Sequence, residues 1–219
     1  MKEIRKCLIA VAALMAVTLF VVEGSYAAAG GISLASLGFL PLVSECGIEN
    51  MGGMKNRLAF IPLCDVSAVP LLPASPATDE DLVTATGSFE LKSDGKPVYI
   101  YATDKTVKFT SENQGETDGQ SFKQSGEFFY PGNKTAAAAF ARKINNTPGY
   151  LILEDPEGNQ YIVGQPGLPC TLKPSFDFGQ ARTDRRGFKF TFEADSFCPF
   201  IRLAAPIDFD ELLEEPEQI

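Results

Sequence analysis

The chain has 219 residues, 45% of them hydrophobic and 21% charged, with a net charge of −9. These values fit a globular protein of one large or two small domains, and the acidic balance supplies no clustered Lys and Arg for gripping nucleic-acid phosphates. The sequence contains no histidine, which excludes Ser-His-Asp and Cys-His nucleophile systems within this chain and removes the commonest general base and metal ligand.

The N-terminal stretch reads differently from the rest. Lys2, Arg5 and Lys6 precede an uncharged run from Cys7 to Val22, and Ser25-Tyr26-Ala27 offers the small residues of a processing site. That is the pattern of a signal peptide over 1–27, followed by an apolar, Gly-rich leader over 28–45. A start codon assigned too early explains the same stretch, with the domain then beginning near Cys46. Removing residues 1–27 takes away three cations and two carboxylates, so the net charge moves from −9 to −10 and the acidity belongs to the domain. The other cysteines are Cys46, Cys64, Cys170 and Cys198, widely spaced and without a C-x-x-C pair, which argues against zinc. They read as four thiols in a reducing compartment, or as two disulfides if the domain is exported.

From residue 57 the pattern is β-like. The run 57–66 is a short apolar strand whose Pro62 predicts an edge or a bulge. The four prolines of 67–81 predict an extended surface loop. The alternating stretch 82–92 and the stretch 96–103 flank Asp94-Gly95, which predicts a hairpin. In the second of these Val98 and Ile100 share one face, and Tyr99 and Tyr101 the other. Residues 106–111 alternate again, 112–120 form a polar loop, and 121–130 return to strand character. Asn133 is then placed to cap a helix over about 133–146, whose apolar face is Ala137, Phe140, Ala141 and Ile144. A helix that short needs a sheet to pack on. The stretches 150–155 and 160–165 form a second hairpin, 170–179 a further strand, and 187–194 a strand with Phe188, Phe190 and Phe192 on one side. The stretch 199–204 closes a domain spanning 46–205, and 206–219 reads as a solvated acidic tail or a short terminal helix. The expected architecture is mainly β, eight to ten short strands in a sandwich or barrel-like domain with one packed helix.

No stretch carries a complete catalytic or ligand-binding motif. Gly132-Asn133-Lys134-Thr135 is only loosely like the end of a phosphate-binding loop: Asn133 separates the glycine from the lysine, and Glu127 stands five residues before Gly132, where a first glycine belongs. Asp155, Glu157 and Asn159 alternate like calcium ligands without the closing glutamate, so a hairpin turn accounts for them better. The glycosylation-type triplets at Asn133 and Asn145 coincide with helix-end chemistry. No spacing selects a carboxylate pair. The expectation is therefore a non-enzyme without cofactor or metal. Arg182, Arg185 and Arg186 make the densest cationic stretch of the domain: either an exposed turn or a patch that meets acidic surface on a neighbouring subunit.

Three segments carry a family resemblance: 76–101, then "FTSENQGETDGQSFKQSGEFFYPGNKTAAAAFARKINNTPGYLILEDPEGNQYIVG", then "ARTDRRGFKFTFEADSFCPF". Their order over about 46–203 resembles tail tube proteins of long-tailed phages and prophages of Bacteroidetes. Glu112, Gln114, Gly115 and Glu116 match that family's polar loop, and the Arg182–Arg186 turn its last basic turn. The resemblance implies a virion structural protein assembled in the host cytoplasm, in stacked, hexameric rings that form a conduit for DNA. Its partners would be further copies of itself, tape-measure and tail-completion proteins, with DNA passing through unbound and no stable membrane partner. Glu112, Gln114, Gly115, Glu116, Arg182, Arg185 and Arg186 are the candidate subunit-interface residues. The leader departs from the family, and with it stands the alternative of an exported β-sandwich binding module in the periplasm or outside the cell. An enzyme built on carboxylates or lysine is the third reading.

Overall fold

A computed structural model describes residues 37–44, 46–93 and 95–213. The expected leader over 1–27, residues 28–36 of the segment after it, and residues 214–219 of the acidic tail lie outside that range. Twelve strands and one α-helix are formed among the described residues. In chain order they are β1 (Arg57–Pro62), β2 (Val66–Ala68), β3 (Thr84–Ala85), β4 (Glu90–Leu91), β5 (Val98–Tyr101), β6 (Lys108–Gln114), β7 (Ser121–Pro131), α1 (Thr135–Ile144), β8 (Gly149–Glu154), β9 (Gln160–Val163), β10 (Thr171–Asp177), β11 (Gly187–Ser196) and β12 (Ile201–Leu203).

The strands make a six-stranded sheet in the order β3-β12-β9-β8-β1-β5, a four-stranded sheet β10-β11-β7-β6 and a two-stranded arm β2-β4. The fold is thus mainly β and sandwich-like with one helix, as the alternating pattern predicts. One core lies between the two large sheets. Leu58 and Phe60 of β1 and Leu151 and Leu153 of β8 meet Phe128 of β7 and Phe188, Phe190 and Phe192 of β11 there. The rings are in direct contact: Phe128 stacks on Phe190 at 5.0 Å, and Phe176 lies 4.5 Å from Phe188. Such pairs add about 0.5–1.5 kcal/mol each beyond the area they bury.

The other residues of β1 and β8 point away from that core. Ala59, Ile61, Tyr150 and Ile152 enter a second apolar cluster on the far face of the six-stranded sheet. Val66, Leu91 and Phe89 from the β2–β4 region and Ile207, Phe209 and Leu212 from the C-terminal segment cover it. Coverage of both faces is why β8 is buried at all six positions. The acidic segment expected to be solvated is therefore anchored at its start, with Phe209 buried.

The helix packs as its spacing predicts. Ala137, Ala141 and Ile144 are buried, and the half-buried Phe140 sets its ring against Phe190 at 5.7 Å. Its start differs from the expectation. Lys134 occupies the cap position, with no side-chain cap bond, and Asn133 precedes it.

Three further expectations are corrected. Pro62 sits on an interior strand between β5 and β8, and is tolerated because it is the last residue of β1, where a tight turn follows. The segments either side of Gly95 do not form a hairpin. β4 pairs with β2 and β5 with β1, while β3 lies parallel to β12. Gly95 is instead pressed on the turn at Asp65, where a Cβ would stand 2.8 Å from the Asp65 carbonyl oxygen. Asp94 lies outside the described residues. Finally, 112–114 belong to a strand and not to the polar loop, because β6 pairs with β7 through Gln114 opposite Ser121. In contrast, the predicted hairpin at 155–159 is formed between β8 and β9, and β5 alternates as read, with Ile100 in the sandwich core and Tyr99 in the second cluster.

Candidate subunit-contact surfaces

The four-stranded sheet carries every residue singled out as a contact candidate, at its two ends. β6 and β7 form a long hairpin that turns at 115–120. Gly115 has φ +99, and a Cβ on it would stand 2.3 Å from the Gly119 carbonyl oxygen, so the turn requires glycine there. Glu112, Glu116 and Asp118 are exposed around it. Gln114 is half-buried: its Nε2 donates to Asp195 Oδ1 at 2.8 Å and to Ser121 Oγ at 3.3 Å, tying the hairpin to β11.

Arg182, Arg185 and Arg186 lie on the exposed loop between β10 and β11. Asp184 does not pair with them. Its carboxylate accepts the backbone N–H groups of Ala181 at 2.7 Å and Gln180 at 2.9 Å, which hold it below the ordinary range of an aspartate. The three guanidinium groups therefore have no ion-pair partner among the described residues, and the exposed ring of Phe178 sits at the base of their loop.

Register fixes where these two groups lie. Gly187 is opposite Pro131, and Ser196 is opposite Phe122. The arginine loop thus belongs to the Pro131 end of β7 and the acidic turn to the Ser121 end. Eleven residues of strand separate them, about 35 Å. The structure does not bring the seven candidates together; it places an acidic group and a basic group at opposite poles of one sheet.

Between the poles the sheet has one apolar and one polar face. The polar face carries Lys108, Lys123, Lys173 and Lys189 with Glu112, Glu127, Asp177, Glu193 and Asp195 at alternate positions. Three of the lysines are paired: Lys189 with Glu127 at 2.7 Å, Lys123 with Glu193 at 3.3 Å, and Lys173 also with Glu193. Hydrogen bonds from Lys173 and then Lys123 lower the Glu193 carboxyl below its usual range. The sequence signal for this face was the polar half of the β11 alternation, Lys189, Thr191 and Glu193; which cation meets which carboxylate depends on strand order. Both outer strands, β10 and β6, have one edge without a strand partner among the described residues.

The remaining sequence candidates for chemistry are absorbed by local structure. Asp155 accepts the Asn159 backbone N–H at 2.8 Å, the Asn159 amide at 2.9 Å and the Tyr161 hydroxyl at 2.9 Å, which closes the β8–β9 turn. Among the described residues no group of three or more Cys, Asp or Glu side chains is arranged to hold a metal ion. The four described cysteines are free thiols, Cys46 and Cys64 exposed and Cys170 buried, where burial raises its pKa above the ordinary thiol range. No family model, curated protein or solved structure matches this chain.

Proposed function

We propose that this chain is a self-assembling structural subunit that joins side by side into rings and end to end into a tube, the tail tube of a long-tailed phage or prophage. The observation that carries this reading is the four-stranded sheet, whose two edges have no strand partner among the described residues and whose ends are oppositely charged. Its strands alternate in direction, so β10 and β6 run opposite ways. In a rotationally symmetric ring, β10 of the next copy would lie antiparallel to β6, and the sheet would continue without a break in direction. Closure of the ring removes both edges, which otherwise invite uncontrolled pairing.

The curvature of such a ring has one sense. The six-stranded sheet fills one side of the four-stranded sheet, so the bulkier layer takes the outer circumference and the polar face turns inward. Six copies would give a barrel of roughly 24 strands, wide enough for an aqueous channel. Three of the four lysines on that face are ion-paired, two of them sharing Glu193, and five carboxylates stand among the four lysines, so the wall would offer DNA phosphates few free cations. Along the axis, the arginine loop of one ring would meet the acidic turn of the next.

The test is size-exclusion chromatography and negative-stain electron microscopy on the purified, reduced chain. Rings of one diameter or short tubes are expected. The Arg182→Glu/Arg185→Glu/Arg186→Glu variant should keep rings and lose tubes, and Glu116→Lys/Asp118→Lys in the same chain should restore stacking. A monomer at high protein concentration would overturn the proposal and favour the exported binding module.

A further inference from the structure

The segment after β12 is attached to the sheet in an unusual way. The chain turns through the exposed residues Ala204, Ala205 and Pro206, and Ile207–Leu212 then crosses the far face of the six-stranded sheet. Residues 205–213 make no backbone-to-backbone hydrogen bond with any strand among the described residues. Side chains from three strands hold the segment instead. Gln160 of β9, itself 5% exposed, uses its whole amide on one residue: Nε2 donates to the Ile207 carbonyl at 2.7 Å, and Oε1 accepts the Ile207 N–H at 2.7 Å. The Phe209 ring is 2% exposed, edge-on to Tyr99 of β5 at 6.5 Å and under the Arg57 guanidinium of β1 at 5.2 Å. Arg57 also pairs with Asp210 at 3.3 Å.

A backbone clamp, an aromatic anchor and a charge reader are the parts of a site for a linear peptide. We propose that Ile207–Leu212 is a self-bound ligand of such a site, and that the slot formed by Gln160, Tyr99 and Arg57 takes the same segment from a second copy of this chain. The partner follows from the fit: the slot reads the backbone at 207, a ring at 209 and a carboxylate at 210, which this segment supplies in order. The exposed Ala204–Pro206 linker, bent at Ala204 and Ala205, lets the segment leave without disturbing β12. Exchange of an identical element between copies needs no new contact. This inference concerns the C-terminal segment and the far face of the six-stranded sheet, and it holds or fails whether or not rings form.

The experiment uses the full chain with a protease site inserted between Ala205 and Pro206, cut after folding. A fluorescent peptide of residues 206–219 is added, and its binding is followed by anisotropy while circular dichroism reports the fold. The expected result is a chain that stays folded, retains its cut fragment and exchanges it for the labelled peptide saturably. Phe209→Ala in the peptide, or Gln160→Leu in the chain, should weaken that binding by roughly tenfold or more. In the uncut chain, a photocrosslinker at position 212 should give an intermolecular product whose yield rises with concentration. A fragment that leaves only when the whole chain unfolds would overturn the proposal, as would a folded, cut chain that never takes up the peptide, or crosslinks confined to single chains.

Discussion

Glu154 is a nearly buried carboxylate held between two cations. Its side chain is 5% exposed and accepts from Lys55 Nζ at 2.7 Å and from Arg57 Nε at 2.5 Å and Nη2 at 3.0 Å. Burial pushes the carboxyl up, and the bonds from Arg57 and Lys55 more than reverse that, leaving its pKa below the ordinary glutamate value. A folded pKa below the unfolded one means that the stabilisation is complete above the unfolded value of about 4.3 and is lost as pH falls through the folded one. Thermal unfolding from pH 7 to pH 3 should therefore show the wild type losing stability below about pH 4.5 more steeply than Glu154→Gln. At pH 7 that variant should cost about 2 kcal/mol, less than the roughly 3–5 of a fully buried pair, because the two cations remain about one-third exposed. Gly126 gives a steric prediction at the same scale. A Cβ there would stand 2.0 Å from the Lys108 carbonyl oxygen and 2.4 Å from Phe192 Cζ. Gly126→Ala should lower stability by about 2–3 kcal/mol in urea unfolding, as overpacking of a sheet against its core does. No periodicity marks either residue, since each depends on neighbours from distant segments.

At the scale of elements, amphipathic periodicity was the most reliable guide. The spacing of Ala137, Phe140, Ala141 and Ile144 defined a face, and that face packs on the sandwich. The Phe188–Phe190–Phe192 alternation likewise placed three rings in the core. Local end signals were weaker guides. Asn133 has the chemistry of a cap but stands one residue before the cap position, so Asn133→Ala should change stability by less than about 0.5 kcal/mol. A loss of about 1 kcal/mol in the same measurement would restore it as a cap. The Asp94-Gly95 dipeptide has the chemistry of a hairpin, yet its flanking strands pair with β2 and β1. Turn propensity biases the dihedral angles of a few residues; it does not choose the strand that pairs beyond them. The polar stretch 112–114 shows the converse. Its residues lack strand propensity, but they continue a ladder against Ser121–Lys123 of β7, where Phe122 and Lys123 are already held on the other side by β11.

At the scale of the whole molecule, the proposed assembly makes an electrostatic prediction. If unpaired arginines at one pole meet carboxylates at the other, stacking should weaken as salt rises from about 50 to 500 mM, because exposed charges are then screened within a few ångströms. In the proposed ring, closure through β6 and β10 would rely on backbone pairing and should persist over the same range, which sedimentation can separate from stacking. The composition and alternation of the sequence were enough to predict a mainly β, sandwich or barrel-like domain with one packed helix, because burial on a pleated strand or a helix face leaves a period of two or 3.6 in the chain. They also flagged the arginine cluster and the polar stretch 112–120, read as a loop, as surface features. Only the tertiary structure set these two features at opposite ends of one sheet, paired the lysines of its polar face and buried Phe209 in an otherwise acidic segment. Those facts follow from strand order and register, which arise from contacts between residues far apart in the chain and leave no local pattern to read.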